Sequence, residues 1–420
     1  MNVDTTEAEG ELRGALARLL RERCDIEQVR GIAAAPGGWD RQLWSELSAM
    51  GVVGLAAPVE HGGEGAGLAL LAVAQEELGR RVAPVPLLSS AIAQAALLAV
   101  VDGNAPGAPA AAALLPAIAS GRTPAAVAVG RTVDGWTPLA TVRAEQVAGG
   151  WQLTGTAPVV ADAAAARVLL VAATTDTGPA LFAVDVPASA GEDEGAAGGG
   201  GGDGGAGVAV RAEPLDVLDV TRPLARVTLN TSATLLAGSA GFAAVLAAAR
   251  RVALTLLAAE AVGVSAQCTE LAVDYAGIRH QFGRPIGTYQ AISHRCADMF
   301  VGTEAARALV AAAAQALDAD GATADGATAD GATADGATAD GATADGGELD
   351  VAVALAAAEA LDAAVGAAQG SLQVHGGIGF TWEHPVHLYL RRAKSSEALI
   401  AAPDRLREQA ASRLIAAVRR

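Results

Sequence analysis

A change of texture along the chain constrains its fold more than any single motif. From about residue 235 to the end the sequence is made of helix formers, in runs at 243–279, 286–317, 350–369 and 403–419. The first part reads the same way. Residues 39–50 (WDRQLWSELSAM) and 68–78 carry apolar positions at helical spacing, stopped by Gly51 and by Pro84 and Pro86. Residues 87–101 are a further helical candidate, as are 110–119, although Pro116 interrupts them. After Arg122, short β-branched runs take over at 127–129, 151–154, 167–173, 180–186, 208–211 and 225–229, separated by Gly, Asp and Pro. That punctuation predicts an antiparallel barrel or sandwich. Helices, then strands, then helices give an α+β chain of three parts: 1–121 helical, 122–234 strand-rich, and 235–420 helical.

Composition matters in two places. Hydrophobic residues make up 52% of the 420 and aromatics only 3%, so the apolar mass is Ala, Val and Leu. The net charge of −17 argues against a nucleic-acid binder, because phosphate needs clustered Lys and Arg. Part of that charge belongs to two low-complexity tracts. Residues 191–207 (GEDEGAAGGGGGDGGAG) hold ten Gly and four acids, and residues 319–347 repeat the pentad ADGAT, with six Asp. Neither tract has the apolar area to offset ordering entropy, so both are expected as disordered loops, placed where extra length costs little. A calcium β-roll needs large apolar side chains at fixed steps, and the pentad offers only Ala.

The acidic start MNVDTTEAEGELRG has neither a basic nor an apolar region and does not read as a signal peptide. The apolar stretch 85–101 is broken by Pro86, Ser89, Ser90 and Gln94, and 243–264 carries Arg250, Arg251 and Glu260, so neither reads as a membrane span. Cys24, Cys268 and Cys296 are far apart, which fits a reduced cytoplasm and no metal knuckle. His384 and His387 have only Glu383 beside them, so no metal site is expected.

Two segments carry the chemistry. The first, RHQFGRPIGTYQ from Arg279 to Gln290, places an Arg at a helix end. A turn fixed by Gly283, Pro285 and Gly287 follows, and then a new helix. A guanidinium offers a planar fork suited to pyrophosphate. The second, QVHGGIGF from Gln373 to Phe380, places paired glycines where backbone can approach a ligand closely. Each alone is equally readable as loop punctuation.

Together and in this order, RxxFGxPIxxxQ followed by QxxGGxGF resembles the acyl-CoA dehydrogenase family. The resemblance covers nearly the whole chain. LWSELSAMGVVGLAAPVEHGGEGAGLALLAVAQEELGR resembles the family's helical opening, and WQLTGTAPVVADAAAARVLLVAA and LDVTRPLARVTL resemble its β-domain strands. HGGIGFTWEHPVHLYLRRA is similar to the actinobacterial branch acting on steroid side chains and other bulky acyl-CoAs.

The resemblance implies an N-terminal helical domain, a middle β-barrel and a C-terminal four-helix bundle. It also implies FAD. Arg279 and Phe282 match positions that bind the FAD of a neighbouring subunit. Gln281, Ile286, Tyr289 and Gln290 match further FAD contacts, and Gln373, Gly376 and Gly377 match the loop at its adenosine diphosphate part. A cofactor shared between chains implies a dimer or a dimer of dimers. The implied reaction is oxidation of an acyl-CoA to the 2,3-enoyl-CoA. A carboxylate takes the α-proton, the β-hydrogen leaves as hydride to flavin N5, and an electron-transferring flavoprotein receives the electrons.

The departures bear on that reaction. TPLATVRAEQ stands where the family has a Thr-Glu-Pro run, and Val159 to Ala161 fall where it has Trp-x-Thr over the flavin ring. The two usual positions of the catalytic base fall on Ile400 and Ala253. The candidate base is Glu260, seven residues beyond Ala253 on the same helix face and about 10 Å along the axis. An Ala/Leu environment would raise its pKa toward neutrality. The bland reading pairs Glu260 with an Arg such as Arg279 or Arg295. Arg391 and Arg392 could neutralise CoA phosphates or serve structurally. His375 is expected as a loop or interface residue, Asp298 as structural, and Trp382 near the flavin edge.

Three functions stay open: a dehydrogenase using Glu260, a flavin-sharing subunit of an α2β2 heterotetramer whose partner supplies the base, and an oxygen-using oxidase or hydroxylase of the same fold.

Overall fold

A computed structural model describes residues 5–132, 135–187, 209–329 and 346–418. Six helices open the chain: α1 (Thr5–Arg23), α2 (Ile26–Ala34), α3 (Arg41–Ala49), α4 (Leu68–Arg80), α5 (Leu87–Asp102) and α6 (Ala108–Ala119). Among the described residues nine strands follow: β1 (Ala125–Ala128), β2 (Gly130–Thr132), β3 (Gly135–Thr137), β4 (Val142–Val147), β5 (Gly150–Ala161), β6 (Val168–Thr175), β7 (Gly178–Asp185), β8 (Ala209–Pro214) and β9 (Leu224–Ala237). The remainder comprises α7 (Ser239–Ile278), the short strands β10 (His280–Gln281) and β11 (Arg284–Pro285), α8 (Gln290–Ala329), α9 (Gly346–His375), α10 (Val386–Leu399) and α11 (Pro403–Val418). The chain divides into two compact units, neither continuous in sequence.

One unit, Ile32–Gly63 with Pro84–Arg250, holds the sheet. The pairings run β6–β4–β5–β9–β7 and return from β7 to β6, with β1 added beside β6 and β8 beside β9. Most pairs are antiparallel as expected, but β1 and β4 meet β6 in parallel. Alternating side chains of β5, β6, β7 and β9 form its core, where Leu153, Leu169, Val171, Phe182, Val227 and Leu229 are buried. The strand expected over 151–154 extends to Ala161, with a register shift between Ala157 and Val160. Pro116 lies inside α6 without ending it. In the same unit Asp40 caps α3, accepting from the N–H groups of Gln42 and Leu43 at 3.0 and 2.9 Å.

The other unit, Met1–Gly31, Glu64–Ala83 and Arg251–Arg420, is helical. Its organising contact is the crossing of α4 on α7. A Cβ on Gly79 would stand 2.2 Å from the carbonyl oxygen of Glu260, and one on Gly263 would stand 2.0 Å from that of Glu76. Backbone touches backbone at both glycines, so no larger residue fits. A glycine inside a helical run costs about 1 kcal/mol against Ala, and close approach is the usual reason to keep one. The crossing buries Gln75, Glu76 and Glu77. Arg13 on α1 reaches Glu77 at 2.6 Å and Glu76 at 3.1 Å, and Arg307 on α8 reaches Glu76 at 3.1 Å.

The second low-complexity tract departs from expectation at its edges. The helix expected over 286–317 runs on to Ala329, taking in the first pentads, and α9 already begins at Gly346. Alanine is the best helix former, and a preformed long helix propagates into Ala-rich sequence at little cost. Both edges are tied to the unit. The Asp318 carboxylate accepts from the N–H groups of Leu68 and Ala69 at 2.6 and 2.9 Å, which caps α4. Arg251 pairs with Asp350 at 2.7 Å and donates to the Gly346 carbonyl at 3.0 Å, and Arg413 meets Asp350 at 2.6 Å. The disorder expected for 191–207, and for 330–345 of the repeat, lies outside the described residues. Two helical stretches, Ser239–Ile278 and Gly346–Phe380, are long and apolar enough to cross a membrane, but 61% of each apolar window is buried inside the protein, as in core helices.

Replacing Gly263 by Ala should lower stability by about 1–3 kcal/mol through overpacking. Gly366→Ala on α9, where nothing lies within 4 Å of the added Cβ, should be neutral or stabilising by up to about 1 kcal/mol. Thermal unfolding midpoints of the two variants would check this.

Candidate functional site

The segment from Arg279 to Gln290 is more structured than the plain turn expected from its glycines. His280 pairs with Pro285 and Gln281 with Arg284, so β10 and β11 form a hairpin closed by Phe282 and Gly283. Both closing residues have positive φ, +52° and +82°. This is the twist a two-residue hairpin favours, and Gly283 supplies it freely. Phe282 does not, because an aromatic residue rarely takes left-handed backbone. It is also 94% exposed. Its ring meets the Tyr289 ring edge-on at 6.5 Å, and an apolar ring left this exposed at a strained hairpin tip suits a ligand or a second subunit.

Around the hairpin the contacts are local. The Tyr289 hydroxyl donates to the Gln281 carbonyl at 3.1 Å, and the Arg284 guanidinium lies 4.1 Å from the Tyr289 ring. The Ile286 N–H donates to the Arg279 carbonyl at 2.8 Å. Arg279, Gln281 and Gln290 are exposed, and Ile286 and Tyr289 are half-buried.

The second segment closes α9. Gln373 is exposed on its last turn, and the chain leaves through Gly376 at φ +64° into a 3-10 turn, Gly376–Phe380. A Cβ on Gly376 or Gly377 would meet nothing within 4 Å. The space beside the pair is therefore open, not filled by the chain's own atoms. Ring contacts bring this segment close to the end of α7: Tyr275 and His375 lie 4.5 Å apart, and His375 and His384 lie 4.1 Å apart.

These residues suit FAD. A guanidinium and free amides match pyrophosphate and ribose, exposed Phe282 and half-buried Ile286 and Tyr289 match flat rings, and open backbone at Gly376 and Gly377 matches a nucleotide. Every one of them faces outward from this chain or is only half covered, as a contribution to a site completed by another chain would be.

The catalytic positions look different. Ala253 and Ile400 are both buried and apolar. Glu260 is 3% exposed and lies at the α4–α7 crossing. Its surroundings are not the purely Ala/Leu ones expected. Arg392, also 3% exposed, stands 3.1 Å from one carboxylate oxygen, and the Gln75 side-chain amide donates to the other at 2.9 Å. The pairing with an Arg weighed for Glu260 is present, but Arg392 on α10 makes it. Arg279 and Arg295 are exposed. Arg392 is thereby withdrawn from the phosphate role considered for it, whereas Arg391 lies over the Trp382 ring at 5.1 Å. Exposed Trp382 and Asp298 lie on the surface, and His375 is buried. Among the described residues no group of three His, Cys, Asp or Glu could hold a metal ion.

The histidines at the loop are held neutral. Burial, then the charges of His375, His387 and Arg30, push His384 down to about 4. Burial also lowers His375, and burial and Arg391 lower His387. The His384 Nδ1 accepts from the Val386 N–H at 3.4 Å at the start of α10, a bond that the imidazolium form cannot make.

Known proteins match the chain along most of its length. Residues 6–122 match the acyl-CoA dehydrogenase N-terminal domain model, and residues 239–414 match the acyl-CoA dehydrogenase C-terminal domain model. The chain is 32% identical over 396 residues to the acyl-CoA dehydrogenase IpdE2 of Mycobacterium tuberculosis, covering 93% of this chain and 92% of the relative. It is also 32% identical over 385 residues to the acyl-CoA dehydrogenase FadE34 of the same organism, covering 90% of this chain but only 43% of that longer protein. Among solved structures it is similar to the Tcur3481-Tcur3483 steroid ACAD, with a TM-score of 0.74 and 26% identity over 99% of this chain and 100% of the other. Its fold also matches the ChsE4-ChsE5 complex from Mycobacterium tuberculosis, with a TM-score of 0.70 and 24% identity over 100% of this chain and 97% of the other.

The histidine cluster fixes a pH dependence. Because His384 titrates lower in the folded protein than in the unfolded chain, its contribution is intact above about pH 6.5. Below that the unfolded chain gains the proton first, and stability falls until pH reaches about 4, where folded His384 titrates too. Unfolding midpoints measured across pH 4–7 should show the fall, and His384→Asn should flatten it.

Proposed function

This chain belongs to the acyl-CoA dehydrogenase family, FAD-dependent oxidoreductases acting on the CH–CH group of acyl-CoA thioesters, and we propose that it serves there as the flavin-sharing subunit of a two-component enzyme. The carrying observation is the state of Glu260. The one carboxylate on the base-bearing face of α7 is committed to Arg392 and Gln75, and both usual base positions are apolar. Releasing Glu260 to a substrate would strand the Arg392 charge in the core, a costly step.

In this reading the chain contributes Arg279, Gln281, Phe282, Ile286, Tyr289 and Gln290 from one segment, and Gln373, Gly376 and Gly377 from the other, to an FAD held between two subunits. When bound, FAD supplies the hydride acceptor. The chain's own part is to bind and orient it, with Arg279 offset against phosphate and Phe282 shielding a ring face from water. The base that takes the α-proton comes from the companion subunit.

Two comparisons support a companion. The ChsE4-ChsE5 complex pairs two differently named chains. FadE34 leaves more than half its length beyond the matched part, enough for a second unit of this size within one polypeptide. The substrate proposed is a bulky acyl-CoA such as a steroid side-chain thioester, after the steroid ACAD similarity. Electrons then pass to an electron-transferring flavoprotein in the cytoplasm. The closed β pairing as a barrel, and α7, α8, α9 and α11 as a four-helix bundle, belong to the same reading.

The test compares the chain alone with the chain co-expressed with a related subunit, adding acyl-CoA anaerobically and following the flavin band. Flavin binding and bleaching should require the companion. In the assembled enzyme, Glu260→Gln should lower the unfolding midpoint, with a cost of a few kcal/mol from uncompensated Arg392. It should change the flavin reduction rate per bound flavin only a few-fold. A per-flavin loss of about 10²–10⁴, the usual effect of removing a general base, would return Glu260 to the catalytic role and sink the companion reading.

A further inference from the structure

The two segments begin 94 positions apart in sequence, at Arg279 and Gln373, yet three rings join them in space. Tyr275 lies in the last turn of α7, and its carbonyl accepts the Arg279 N–H at 2.9 Å. Its ring stands 4.5 Å from that of His375, the last residue of α9 and the neighbour of Gly376. The His375 ring in turn stands 4.1 Å from that of His384, beyond the glycine loop. The middle ring is anchored: a carbonyl can only accept, so His375 Nδ1–H donates to the Ser371 carbonyl at 2.7 Å. The outer ring is anchored too, by the Val386 N–H on His384 Nδ1. A second pair braces the same loop, with Trp382 and His387 4.6 Å apart, and Arg30 donates to the Trp382 carbonyl.

We propose that the Tyr275–His375–His384 stack is the joint that sets the spacing between the two flavin segments, which makes its three rings positioning residues for FAD. The inference rests on the reading of Arg279–Gln290 and Gln373–Gly377 as flavin-binding. A dinucleotide spans both segments and tolerates little error in the distance between them. Helix ends fray, and a loop with two adjacent glycines is conformationally permissive, so neither segment holds that distance alone. Stacked rings do, because each has only two side-chain torsions to fix and interdigitates with its neighbour. Two of the three rings are bonded at the nitrogen that sets ring orientation, and the third is tied through its backbone to the Arg279 N–H.

The experiment uses the assembled flavoprotein, stripped of FAD and titrated with it by flavin fluorescence, with the unfolding midpoint of the stripped protein measured alongside. Tyr275→Leu removes the ring, and Tyr275→Phe keeps it. His375→Leu and His375→Phe repeat the comparison at the middle position. The leucine variants should raise the FAD dissociation constant by about three- to tenfold, the loss of one ring pair. The phenylalanine variants should stay within about twofold of the parent, and a purely structural role would give no such rescue. Leucine variants that bind FAD as the parent does would overturn the joint, as would equal losses in the leucine and phenylalanine variants. Arg279→Ala separates the two levels. If it weakens FAD binding while the leucine variants do not, only the joint fails. If it binds FAD normally, the flavin reading of the segment fails, and the joint with it.

Discussion

Two carbonyl oxygens pressed against two glycines hold the helical unit in its arrangement. Where α4 crosses α7, Gly79 admits the Glu260 backbone and Gly263 admits that of Glu76. Such proximity leaves no room for the long side chains on either helix except beside the crossing. There Gln75, Glu76 and Glu77 on α4 and Glu260 on α7 are carried into the interior. Buried carboxylates need partners, and the surrounding helices provide them: Arg13 from α1, Arg307 from α8 and Arg392 from α10. The crossing thus determines which helices must pack around it and which charges they must bring.

In the sequence Glu260 is an isolated acid in an apolar run, seven residues from a usual base position, which makes it a candidate base. What the run could not reveal is a cation more than a hundred residues away, arriving through a separate helix. In the sequence Arg392 reads, with Arg391, as a candidate for CoA phosphates or for a structural role. Long-range ion pairs have no periodicity or local spacing to betray them. The glycines at the crossing leave only an energetic anomaly inside two otherwise strong helices, a trace that says nothing of which helix lies against them.

The two segments proposed to hold flavin were legible as local structure for the opposite reason. Their information is local: a hairpin needs Gly283, a helix exit needs Gly376, and the polar groups of each segment sit within a dozen residues of one another. The strand-rich middle was legible as a class, and its six expected runs all became strands, but β2, β3 and β4 lacked β-branched runs and escaped notice. Phe282 shows the limit of pattern reading. Its identity was expected, while its left-handed backbone and outward ring depend on a two-residue turn that only the hairpin register fixes.

The ties at Asp318 and at Gly346 and Asp350 carry a consequence for how such a gene can drift. Each end of the pentad tract is fastened to the helical unit by its own bonds, independently of what lies between. A gene that drifts at these moorings loses packed structure: without its carboxylate Asp318 no longer caps α4, and without that of Asp350 neither Arg251 nor Arg413 keeps its partner there.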